Sequence, residues 1–390
     1  MNIVTTITLA GLLAALFFQQ AQALEVDREV MPRITVAGRV ISTLDNVDLD
    51  SKPARADEID IDDSSLLLRF DKRLYTSGVA GAVLGFEDNE HTVEFHRVYA
   101  FLWDEGYEIS IGRMDLRNSL ITFPTIRDED LLAVTHVGNA SSNAEFDQLH
   151  APMFTAKWFP GGGIQSASVW AGTRGNSAGL AAPDGFDSVG LGFVHEQAEH
   201  RRLVMRLTKA GVLLDRQKVA TTAGDEWMNA LIAGVEFNLN MNPASNWSAA
   251  FQAIHNAGID GMTATDINST VNAMANQARA RSTALVASVR HTLRPNLLTR
   301  WQASMTVARK EYSDITDAAQ WSIAPAVVCR IGQGTDLIAQ YIHTGYDGAL
   351  YGGGEDNVIQ LGIAFSLETT FNNNIGERNS ILNLEHGYLR

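Results

Sequence analysis

The chain has 390 residues, with 45 acids against 30 bases, a net charge of −15 and a mean hydropathy of −0.05. The acidic balance excludes the basic footprint of a nonspecific nucleic-acid binder, and the low hydropathy excludes a bundle of many membrane helices. The single cysteine, Cys329, excludes an intrachain disulfide, a cysteine-based zinc cluster and a CxxCH haem attachment.

An apolar run from Leu9 to Phe18 is followed by Ala21-Gln22-Ala23. The A-x-A pattern predicts a signal peptide over 1–23, cleaved before Leu24. No Lys or Arg precedes the apolar run, so only the α-amino group supplies positive charge; an N-terminal membrane anchor is the alternative. After residue 24 no apolar run reaches the ~18 residues of a membrane helix. An exported chain of this kind is periplasmic, secreted or an outer-membrane barrel.

The pattern that recurs is a segment of about ten residues with period-two alternation. Such segments are 33–43, 64–74, 77–87, 91–103, 107–115, 150–159, 163–174 and 186–196. They continue as 201–212, 227–239, 246–256, 281–293, 296–309, 319–331, 335–346 and 357–371. Sixteen is even, which lets both ends of an antiparallel sheet lie on one side of a membrane. Each segment is long enough to cross a bilayer when tilted. Within 296–309, Leu297, Trp301, Ala303, Met305 and Val307 share one face, and Arg300, Gln302, Ser304 and Thr306 the other.

The connections alternate short and long. The short ones are 104–107, 160–163, 196–201, 240–246, 294–296 and 332–335; the long ones are 44–63, 116–149, 174–185, 213–226, 257–280, 310–318 and 346–356. The connection at 88–90 is short where a long one is expected. Short periplasmic turns and long outer loops are the asymmetry of outer-membrane barrels. The predicted fold is therefore all-β: a transmembrane antiparallel β-barrel of about 16 strands spanning 24–371. Aromatics near segment ends (Tyr75, Trp103, Tyr107, Trp158, Phe159, Trp227, Trp247, Trp321 and Tyr346) suit interfacial girdles.

Strict alternation turns Arg39, Arg69, Arg206, Arg290, Arg300 and Arg330 toward the lumen, with Lys157. Inward acids are Asp71, Glu94, Glu236 and Glu368, while the 44–63 loop alone holds eight acids. A basic wall favours anions and an acidic vestibule favours cations. The composition leaves both preferences open, along with simple pairing of the arginines by loop acids. Arg97 and Arg113 fall on apolar faces, where a charge at midplane costs roughly 2–4 kcal/mol; a bulge or a place near the interface would relieve either. Within the longest loop, "FPTIRDEDLLAVTH" predicts a short helix begun by Pro124 or Thr125, with acids at its positive end.

The final segment, "VIQLGIAFSLETTF", alternates without interruption from Val358 to Phe371. Its Gln360-x-Gly362-x-x-Phe365-x-Leu367 pattern, with Phe371 at the end, resembles the signal by which the barrel-assembly machinery recognises last strands. Residues 372–390 are then a periplasmic tail, or 379–389 is itself the last strand. The chain after residue 24 resembles Gram-negative outer-membrane porins of the sixteen-strand type. Residues 107–142, through Gly112-Arg113, Phe123, Thr125 and Asp130-Leu131, look like part of the legiobactin-type siderophore porins. The porin resemblance implies an inward-folded third outer loop, which is 116–149 here, with constriction candidates Arg127, Asp128, Glu129, Asp130, Glu145 and Asp147. It also implies passive uptake of ions or small solutes, an iron chelate among them, a setting of outer-membrane lipid and lipopolysaccharide, and a homotrimer.

Two other classes stay open. An enzyme needs a nucleophile beside an oriented base, yet the ten histidines are scattered and neither H-E-x-x-H nor G-x-S-x-G occurs. A structural barrel or adhesin would need far fewer strands, since about eight fill their own interior. A TonB-dependent receptor carries an N-terminal plug, and only eight residues lie between Leu24 and the first segment. No cofactor, metal or nucleic-acid partner is implied.

Overall fold

The computed structural model describes residues 33–371 apart from 50–57, 61–63, 75–77, 90–91, 105, 116–149, 160–164, 173–187, 197–204, 222–223, 243, 260, 269–279, 295–298 and 333. The signal-peptide reading and the fate of 372–390 lie outside the described residues.

The strands are β1 (Arg33–Leu49), a short β2 (Glu58–Asp60), β3 (Ser65–Arg73), β4 (Val79–Asn89), β5 (Thr92–Asp104) and β6 (Tyr107–Asp115). Next come β7 (His150–Trp158), β8 (Gln165–Gly172), β9 (Ser188–Glu196), β10 (Met205–Thr221), β11 (Gly224–Asn242) and β12 (Ser245–Asn256). The last are β13 (Ser282–Leu293), β14 (Arg300–Tyr312), β15 (Ala319–Gly332), β16 (Thr335–Tyr346) and β17 (Glu355–Phe371). One helical turn, α1 (Ala264–Ile267), follows β12. Every predicted segment coincides with one of the sixteen long strands. Each long strand pairs antiparallel with its chain neighbours, and β1 joins β3 on one side and β17 on the other. The sheet is therefore a closed barrel of sixteen strands, and among the described residues no long strand is left as an edge.

The alternation reads out as burial. On β14, Trp301, Met305 and Val307 are exposed while Gln302, Thr306 and Ala308 are buried. The exposed face is apolar around the barrel, from Val40 and Leu66 through Phe251 and Leu285 to Ile359, Leu361 and Ile363. A continuous apolar band facing outward is a lipid-facing surface, and a closed barrel that carries one belongs to the outer-membrane class. Trp158, Trp247 and Trp301 stand outward near the short-turn end, and Trp227 and Trp321 near the long-loop end. Trp321 lies across Gly345, where an added Cβ would sit 2.6 Å from the indole nitrogen.

Two predicted loops contain strand. Strand β1 continues to Leu49, and β2 pairs with Thr43–Asp45 inside the former 44–63 loop. Strands β10 and β11 run through most of 213–226, with Ala220 opposite Asp225. A polar stretch marks where hydrocarbon ends; the ladder continues into water because each paired N–H and C=O is still satisfied by its neighbour. The exceptional short connection is confirmed, since Asn89 pairs with Thr92.

Both uncomfortable arginines are accounted for. The β4–β5 register jumps from Gly85↔Arg97 to Phe86↔Phe95, so His96 is an extra residue on β5. One extra residue flips the face of everything beyond it. Arg97 and Phe101 become 1% and 8% exposed, while Val98 becomes the outward residue at 44%. Arg113 stays outward and exposed, two residues before the end of β6 at the long-loop end. Beside it Gly112 has φ +136°, and an added Cβ would meet Val98 O at 2.3 Å, so glycine is required there. Two predicted girdle aromatics turn inward: Trp103 packs against the Val79–Val83–Phe101 cluster, and Tyr346 is buried. Trp103 follows the bulge; Tyr346 shares the parity of Thr344 and Ile342.

Candidate pore lining

The inward face is layered along the barrel axis. At the long-loop end, Tyr312, Tyr346, Ala280, Ala318 and Leu350 form a small core with Met262, Ile315, Ala349 and Tyr351 packed against it. Tyr346 Oη donates to Asp356 Oδ2 at 2.6 Å, and Gln320 Nε2 donates to Tyr312 Oη at 3.3 Å. The Lys310 ammonium lies 5.0 Å above the Tyr312 ring. Asn268 ties two loops 81 residues apart, donating to Ala349 O at 2.6 Å and accepting from Tyr351 N at 3.2 Å. The described outer loops are thus a folded cap over β13–β17.

Below the cap runs an apolar belt that alternation alone did not single out. It comprises Trp170, Leu213, Ala230, Ile232, Ile254, Ala284, Val286, Ala308, Ala324, Ile342 and Val358, all buried. Trp170 lies flat over β9, because an added Cβ on Gly190 would sit 2.0 Å from its ring. Gln252, Thr306, Gln340 and Gln360 form a buried polar tier along the same wall.

The predicted lining residues divide. On the β1–β5 wall, Arg39 and Arg69 face inward and are buried, and the bulge adds Arg97. Asp71 is clamped from two sides: Arg33 Nε donates at 2.9 Å and Arg69 Nε at 2.8 Å. Arg69 also stacks 4.8 Å from the Phe101 ring centroid. Arg33 was missed because it opens its segment, where alternation has one neighbour only. Glu94 pairs in register with Glu87, and Arg206 with buried Asn238; the side chains of Glu94 and Arg206 lie outside the described residues. Lys157 pairs with Glu108 on the face of buried Thr155.

On the opposite wall, near the short-turn end, Arg290 Nε donates to Ser248 Oγ at 3.1 Å and approaches Glu236 at 3.5 Å. Arg330 makes a two-pronged pair with Asp336, 2.9 Å for each bond. Arg300 is directly paired with Arg330 across β14 and β15. The constriction candidates Arg127, Asp128, Glu129, Asp130, Glu145 and Asp147 lie outside the described residues. In the last strand, Gln360 is buried inward, while Phe365, Leu367 and Phe371 are exposed outward and Phe371 ends β17.

No protein-family pattern and no curated protein matches this chain. Solved structures do. The anion-selective porin from Comamonas acidovorans is 14% identical, with a TM-score of 0.59 over 86% of this chain and 100% of that one. The outer membrane channel DcaP of Acinetobacter baumannii is 11% identical, with a TM-score of 0.58 over 86% and 97%. A trimer form of OmpT, an outer membrane protein of Vibrio cholerae, is 9% identical, with a TM-score of 0.55 over 86% and 99%. The chain has the fold of these outer-membrane barrels.

Proposed function

We propose that the chain is an outer-membrane porin: a barrel through which ions and small hydrophilic solutes diffuse passively. The observation that carries this is the pairing of a sixteen-strand closure with opposite faces. The outside is an apolar band, and the inside bears guanidinium, carboxylate and amide groups. A barrel of this strand number encloses more space than wall side chains alone fill. The Comamonas and Acinetobacter barrels, named a porin and a channel, support the same reading. Within it, Arg127, Asp128, Glu129, Asp130, Glu145 and Asp147 are proposed to line the constriction, and Gln360, Gly362, Phe365, Leu367 and Phe371 to be read by the barrel-assembly machinery. Outer-membrane lipid and lipopolysaccharide surround the band. A homotrimer is the proposed assembly, which the trimeric OmpT form supports.

The test is single-channel recording in planar bilayers with refolded, heat-modifiable protein, followed by the zero-current potential across a tenfold KCl gradient. Discrete steps are expected. Their absence overturns the porin reading in favour of a structural barrel or an enzyme. Anion preference assigns selectivity to the arginine walls; cation preference assigns it to the acidic loops. The iron-chelate cargo implied by the resemblance of 107–142 predicts that a ferric chelate blocks those steps at micromolar concentration; no block removes that cargo and leaves the channel.

A further inference from the structure

On the outward face of β9–β11 the apolar band ends in a charge. Toward the long-loop end, Val212 pairs with Phe193, and Leu214 with Leu191 on one side and Leu231 on the other, all outward and exposed. The next outward residue on β10 is Arg216, also exposed, between Val189 and Asn229 on the neighbouring strands. An arginine two residues beyond lipid-facing leucines stands where hydrocarbon gives way to headgroups, and a long side chain keeps its charge in that polar layer.

What holds the guanidinium is a ring and not a carboxylate. Arg216 Cζ lies 5.0 Å from the centre of the Trp227 ring, and among the described residues Arg216 makes no ion pair. Asp215 and Glu226, the acids adjoining these two residues in the chain, alternate to the other face, where Asp215 is buried. Arg309 on β14 shows the contrast: it is equally outward, and its guanidinium is 2.6 Å from Glu311. An indole attracts a guanidinium without occupying its N–H donors. A cation fixed in this way, with donors to spare, suits phosphate oxygens in shape as well as charge. The apolar column below it suits acyl chains.

We propose that Arg216 and Trp227 form a binding site for an outer-leaflet lipid with a phosphate on its headgroup, its acyl chains lying over Leu214, Leu191, Val212 and Phe193. The charged and apolar parts of the site match the two parts of such a lipid, whereas a soluble anion uses only the first. The proposal rests on the outer-membrane location and the outward position of the long loops, and is independent of conduction through the lumen.

The test is native mass spectrometry of detergent-purified full-length protein with three probes. These are dioleoyl phosphatidic acid, dioleoylglycerol, which has the same chains and no phosphate, and inorganic phosphate, which has no chains. Wild type is expected to retain phosphatidic acid at about tenfold lower concentration than dioleoylglycerol, the worth of one charge-assisted contact. Arg216→Gln should erase that preference, with heat-modifiability as the check on folding. Trp227→Leu keeps the apolar surface but releases the guanidinium, and should narrow the preference roughly two- to fivefold. Arg309→Gln removes an outward cation already answered by Glu311 and should leave the preference intact. Equal retention of both lipids by wild type, or the same preference in Arg216→Gln, overturns the site. Displacement of phosphatidic acid by an equal concentration of inorganic phosphate gives the cation to soluble anions and overturns the lipid. Oligomers that dissociate in Arg216→Gln, with no lipid retained by wild type, give this face to a second copy and overturn it too. Channel steps without the lipid preference sink the site and keep the channel; the preference without steps sinks the channel and keeps the site.

Discussion

At the residue scale, buried charge decides what is fragile. Asp71 is fully buried between Arg33 and Arg69. Replacing it with Asn keeps the shape and leaves two guanidiniums without their counter-charge. Removing one partner of a buried pair costs about 3–5 kcal/mol, so Asp71→Asn should lower the urea midpoint of unfolding clearly. A shift under about 1 kcal/mol would mean that water already screens the clamp. Tyr346→Phe deletes one hydrogen bond to a buried carboxylate. It should cost about 1–3 kcal/mol, and a neutral outcome would show that Asp356 finds another donor. These positions also show the reach of pattern reading. Asp71 and Arg69 have the right face by alternation, but the bond from Arg33 to Asp71 crosses 38 residues of sequence, and no local spacing announces it.

Element-scale behaviour follows from the period of two. Met305 lies mid-strand on the outward face of β14. Met305→Arg should cost roughly 2–4 kcal/mol of folding into bilayers, and Met305→Leu less than about 1.5 kcal/mol. Equal effects would mean that Met305 does not face lipid. Gly190→Ala puts a methyl into the Trp170 ring and should destabilise by roughly 1–3 kcal/mol; indole fluorescence would report the displaced ring. The strand assignments were legible because each strand repeats its signal over many residues. The boundaries were less so: the β10–β11 hairpin continues past the lipid span, and composition marks the solvent rather than the hydrogen-bond ladder.

For the whole molecule, the cap ties distant loops into the barrel. Asn268→Ala removes both links to Ala349 and Tyr351 and should speed amide exchange in 347–354 while leaving the barrel strands protected. Unchanged exchange would show that the apolar cluster around Leu350 holds the cap alone. The cap also carries a pH dependence. Thr263 donates its hydroxyl and backbone N–H to Asp266, holding that carboxyl below its usual range. Because the folded value is the lower one, this contribution is present at neutral pH and fades only as pH falls below the ordinary carboxylate range. Loosening of α1 near neutral pH would contradict it.

The sequence by itself determined the barrel, because alternation, strand length and loop asymmetry are local signals repeated sixteen times over, and errors in one strand do not spread to the rest. It also determined which face most arginines take. Tertiary structure decided what the arginines mean. A single extra residue at His96 turned Arg97 from lipid to lumen, and that depends on the register of a neighbouring strand. Closure then sealed Arg39 and Arg97 while leaving Arg290, Arg300 and Arg330 in reach of water. Exposure within a lumen is set by what stands across it, and what stands across it is distant in the chain.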